Sequence, residues 1–140
     1  MAAFTLAPRH RAVVRSLVEA LFHHDAGPRP EQLDAVTLAV EAHFAPVRRA
    51  QRSFLLLALD LVRWLPLLLL TGLTLFEDLP VARRVALLER MDCSKSLLLY
   101  LPVVAFKTLL AMLFFEQPEE LRAMGYPGDD ARKRWLKLAA

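Results

Sequence analysis

The stretch FLLLALDLVRWLPLLLLTGLTLF runs from Phe54 to Phe76. It is long enough to cross a bilayer. It also carries Asp60, Arg63 and Pro66. On an insertion scale, Asp60 and Arg63 together cost roughly 5–7 kcal/mol at mid-helix. The twelve leucines at about −0.5 kcal/mol each return about 6 kcal/mol. The polar Thr and Gly residues and Pro66 add further cost. The balance is near zero or unfavourable, so the run reads as helix buried against protein. Contact with a membrane surface and a true span are the alternatives. The three-residue spacing of Asp60 and Arg63 lets them pair on one helix face. Pro66 removes a backbone bond and crowds the preceding turn, so a kink or two shorter helices is expected.

Working outward, prolines punctuate a helical period. Arg9 to Phe22 places Val14, Leu17, Val18 and Leu21 on one face. HHDAGPRP interrupts the pattern, and Pro30 suits the first turn of a second helix. That helix turns Leu33, Val36, Val40 and Phe44 inward. A third helix begins near Val47 and enters the opening stretch. After FEDLP, a fourth runs through VARRVALLERM, with Val81, Val85, Leu88 and Met91 on one side. Arg83, Arg84 and Arg90 are expected to avoid that side. A second apolar run follows, LLLYLPVVAFKTLLAMLFF, with Lys107 near its middle. Pro118 to Met124 reads as a short helix ended by Gly125. The fold class is therefore all-α: an irregular bundle of about five to six helices, with two long apolar helices kinked at prolines. Residues 1–128 form one helical domain and residues 129–140 a polar tail.

Composition narrows the function. The chain has 140 residues, 56% of them hydrophobic, and a mean hydropathy of +0.34. That is much apolar surface for a small bundle to hide, and a partner or lipid would cover the excess. Four glycines disfavour a phosphate-cradling loop. A net charge of +3 is too weak to imply nucleic acid by itself. The N-terminus lacks the pattern of a secretory signal. The expected location is cytoplasmic, with the inner membrane face as a peripheral site. Arg48, Arg49, Arg52, Arg83, Arg84 and Arg90, with Arg132, Lys133, Arg134 and Lys137, are either solvated faces or contacts for lipid phosphates.

Chemistry-bearing clusters are sparse. His23 and His24 are adjacent and point apart, so they chelate poorly; His10 and His43 lie far off in sequence. Cys93 has no histidine near it and reads as a small buried residue at a helix start. Glu77–Asp78, Glu116, Glu119–Glu120 and Asp129–Asp130 decorate loops and helix ends. No catalytic residue, metal ligand or cofactor-binding residue is assigned, and the chain is not expected to be an enzyme by itself. Trp64, Tyr100, Phe106, Lys107, Phe114, Phe115 and Tyr126 are the candidates for a partner interface. Asp60, Arg63 and Lys107 are the candidates for buried ion pairs. Lys107 is expected to meet a carboxylate, either Asp60 or one on a partner.

The C-terminal half carries an ordered set of features: Phe76, Leu79 and Pro80; Arg84; Phe106, Lys107 and Leu109; Phe114 and Phe115; then Gly125 to Gly128. In that order they resemble the helical segment preceding the flavin domain of long-chain fatty alcohol oxidases, in the glucose–methanol–choline oxidoreductase family. They also resemble the small third subunit of gluconate-type dehydrogenases. The N-terminal part is similar more loosely, through LVEALFHHDAGPRP and the leucine run. The family often has prolines near His23 and His24, which argues against inherited ligands there. The resemblance implies a non-catalytic accessory subunit of a separate FAD-dependent alcohol or sugar oxidoreductase, with the FAD in that partner chain. The competing class is a membrane-associated helical protein without a redox partner.

Overall fold

A computed structural model describes residues 4–23, 27–69, 72–117 and 137–138. Among these the architecture is all-α. Five α-helices follow in order: α1 (Pro8–Leu21), α2 (Pro30–Phe44), α3 (Arg49–Leu68), α4 (Val81–Asp92) and α5 (Leu97–Phe115). A single 3-10 turn, Phe76–Asp78, joins α3 to α4.

The helix starts follow from local chemistry. Pro8 and Pro30 each occupy the first turn, where no amide hydrogen is required. Gln32 Oε1 reaches back to accept from the Arg29 amide at 2.9 Å, closing the open end of α2. Gly27 precedes it with φ +74, a left-handed conformation that glycine adopts without a Cβ clash.

The hub of the fold is α1, which packs against α2, α3, α4 and the 3-10 turn. Its buried residues Val13, Val14, Leu17 and Val18 meet Leu33, Val36 and Val40 of α2 in one core. From α3 come Leu55, Leu59, Val62 and Leu65, spaced so that one stripe of the helix faces inward. Phe76 is fully buried and anchors the turn beneath α1 and α3. At the other end, Phe22 stacks on Phe114 with ring centroids 4.1 Å apart, and Phe115 meets both rings edge-on. These aromatics fasten the end of α5 to the end of α1.

The opening run is not one long helix from Phe54 to Phe76. α3 stops at Leu68, and the chain turns before Phe76. Pro66 does not divide the run into two helices. It falls in the last turn of α3, so the helix ends two residues after the bond that proline forfeits. Pro102 likewise sits inside an uninterrupted α5. The expected kinks are not confirmed. The expected helix from Pro118 to Met124 lies outside the described residues.

Candidate functional site

The polar side chains that reach the interior hold helices together in pairs. Glu41 of α2 is buried, and its Oε1 accepts from the Leu6 amide at 2.9 Å and from Arg11 Nε at 2.8 Å. This ties the entry to α1 onto α2. On the opposite side of α1, His10 Nε2 donates to Asp60 Oδ1 of α3 at 2.9 Å, and Arg9 approaches the same oxygen at 3.8 Å. Arg15 pairs with Asp34. Arg63 Nε donates to Glu77 Oε1 at 2.9 Å, clamping α3 to the 3-10 turn.

Arg84 is the least expected member of this set. It is only 7% exposed. Its guanidinium donates to the Leu79 carbonyl at 2.8 Å and to the Ser16 carbonyl at 2.9 Å, with Glu19 at 3.5 Å. A buried cation is tolerable only when hydrogen-bonded and paired, and this one is both. Helical periodicity set Arg84 outside with Arg83 and Arg90. Those two are exposed, whereas Arg84 turns inward to the Ser16 carbonyl of α1 and the Leu79 carbonyl just before α4.

The expected pairing of Asp60 with Arg63 does not form. Each finds a partner on another element, His10 and Glu77, and both remain partly solvated. Lys107 does meet a carboxylate, Asp92 of α4 at 3.3 Å, but the pair lies at the surface rather than buried. Among the interface candidates, Phe106 and Phe114 belong to the core of this chain, so they are not free for a partner. Trp64, Tyr100 and Phe115 are exposed. Tyr126 lies outside the described residues. Cys93 is exposed and follows α4, a correction to its expected burial at a helix start. His23 bonds the Ala20 carbonyl through Nδ1 at 2.8 Å, while His24 and Asp25 lie outside the described residues. Among the described residues no three His, Cys, Asp or Glu side chains converge to hold a metal.

One concavity among the described residues is almost wholly apolar. A groove of about 580 Å³ opens between α3 and α5, closed at one side by Phe44 of α2. Its walls are Phe54, Leu55 and Ala58 from α3, and Leu101, Pro102, Ala105, Phe106 and Leu109 from α5. Gln51 is the one polar residue in the lining. Phe54 is 73% exposed and Leu101 56% exposed, so two large apolar side chains stand on its rim in water. Sequence reasoning named neither. The signal was present, because Phe54 follows Gln51 at one helical turn and shares its outward side.

No family model, curated protein or solved structure matches the chain.

Proposed function

We propose that this chain is a non-catalytic accessory subunit that packs against a separate FAD-dependent alcohol or sugar oxidoreductase chain, stabilising it or holding it at a membrane. The FAD belongs to that partner. The observation that carries the reading is the open α3–α5 groove with Phe54 and Leu101 on its rim. An apolar cleft lined by Phe44, Phe54 and Phe106 is costly to leave in water, and aromatic side chains dominate binding at such surfaces. The resemblance of the segment from Phe76 to Gly128 supplies the kind of partner. Interior polar groups such as Glu41, His10 and Arg84 are engaged in joining helices, which suits a supporting role.

A complex of ordinary size would bury about 1,500 Å² in total. The test is co-expression with a flavoprotein chain encoded beside this one, followed by size-exclusion chromatography. The two chains are expected to co-elute. A Phe54→Glu/Ala105→Glu variant is expected to elute apart from the flavoprotein while keeping its helical circular dichroism. If the flavoprotein is folded and active and the two chains migrate separately, the proposal fails.

A further inference from the structure

The first turns of α5 pose a separate problem. Leu97, Leu98, Leu99, Tyr100 and Leu101 follow one another, so this helix end is apolar on every side. Leu97 is 68% exposed and Leu98 70% exposed. All the buried residues of α5, from Val103 to Phe114, lie further along. Among the described residues α5 is the one helix long and apolar enough to span a bilayer, and only 28% of that stretch is buried by the rest of the chain.

What surrounds this end is cationic. Lys95 stands two residues before α5, and Arg90 lies in the last turn of α4. Arg83 lies on the same face of α4, and with Arg90 it brackets a shallow depression floored by Leu79, Ala86 and Leu87. Arg83, Arg90 and Lys95 are exposed, and none of them forms an ion pair among the described residues. Glu89 is the exposed carboxylate on this shoulder; Asp92 is already paired with Lys107.

We infer that the α4–α5 corner docks on the surface of an anionic lipid bilayer, with Leu97, Leu98 and Leu101 below the headgroups and Arg90 and Lys95 among the phosphates. Charge complementarity selects the anionic surface, and an apolar tip beneath a basic shoulder is the form of an interfacial anchor. Depth is limited by the chain itself. Leu97 to Leu101 rises about 6 Å, within the roughly 5–10 Å that an interfacial helix reaches. Lys107 sits about 15 Å beyond Leu97 and is held to Asp92 at the surface, so a stop at Lys107 lets the tip reach the midplane at most and rules out a span. The contact is therefore monotopic. It borders the groove at Leu101, is centred on Leu97 and Leu98, and needs no flavoprotein.

The test uses the purified full chain alone, floated with vesicles of phosphatidylcholine or of phosphatidylcholine with about one-third phosphatidylglycerol. Binding to the anionic vesicles is expected to exceed binding to neutral ones by about tenfold or more, and to weaken in high salt. A Leu97→Ser/Leu98→Ser variant is expected to lose binding by about tenfold or more while its circular dichroism is unchanged, because both side chains are exposed. Arg90→Gln/Lys95→Gln is expected to erase the preference for anionic lipid. Cys93, the sole cysteine, lies four residues before Leu97 and takes a fluorescent label. Brominated lipids are expected to quench that label on binding. The inference is overturned if the chain floats with neither vesicle, if the leucine variant floats like the parent, or if the Cys93 label is not quenched. Carbonate-resistant retention in membranes would overturn it in favour of a span. Because no flavoprotein is present, failure here leaves the accessory-subunit proposal standing, and the reverse also holds.

Discussion

α1 and α5 make an instructive pair. α1 carries Arg9, Arg11, Arg15 and Glu19, yet it lies at the centre of the fold against four neighbours. α5 carries a single charge, Lys107, yet half of it stands in water. Apolar composition favours burial but supplies no direction. Directed bonds fix where α1 sits: Arg11 to Glu41, His10 to Asp60, and the Ser16 carbonyl to Arg84. α5 is held mainly from Val103 onward, by Val103, Phe106, Leu110, Leu113 and Phe114, with Leu99 half-buried against the same core. Its first turns leave Leu97, Leu98 and Leu101 exposed to water.

Substitutions sharpen or break this contrast, beginning with the heaviest. Phe76→Ala removes a fully buried ring beneath α1 and is expected to cost about 3–5 kcal/mol in urea denaturation. Arg84→Ala leaves the Ser16 and Leu79 carbonyls without their donor and is expected to cost about 2–4 kcal/mol. Glu41→Ala strips the Leu6 amide and the Arg11 guanidinium of their acceptor, and about 1–3 kcal/mol is expected. On the α5 side the same assay is expected to register almost nothing. Lys107→Met loses only a solvated pair with Asp92, a change within about 0.5 kcal/mol. Leu98→Ser is expected to stay within about 0.5 kcal/mol as well. Should Leu98→Ser destabilise the lone chain as much as Phe76→Ala does, the contrast is wrong and the first turns of α5 are covered after all.

The helices were legible because prolines and period mark them clearly. Pro30 opens α2 as read, and LLLYLPVVAFKTLLAMLFF is α5 from end to end. The inward faces of α1 and α2 followed from spacing alone. What escaped was every choice made at long range. Asp60 and Arg63 share a helix face, so local reasoning joined them, but His10 and Glu77 arrive from elsewhere and take them separately. Arg84 was set outside because the period cannot register a carbonyl on a distant helix. Phe106 and Phe114 were offered to a partner, yet the stacking of Phe114 on Phe22 and the neighbours of Phe106 keep them inside. The groove was hidden for a related reason: it exists between α3 and α5, and neither helix shows it alone.

Several of the residues that the sequence singles out between Phe76 and Phe114 hold this fold together. Phe76 is buried under α1, the Leu79 carbonyl receives Arg84, and Phe106 and Phe114 belong to the core. A likeness built on such positions speaks first to architecture. The outer residues Phe54, Leu97 and Leu98 are where a binding role is to be tested.

The bond between Arg84 and the Ser16 carbonyl joins residues 68 apart in sequence. Only the bond to the Leu79 carbonyl is local, and the guanidinium must shed water as α1 and α4 meet. Loop-closure entropy predicts that this meeting follows the closing of α1 on α2, which are joined by a shorter connection. Arg84→Ala is therefore expected to hasten unfolding while leaving the refolding rate nearly unchanged, a difference stopped-flow mixing can resolve.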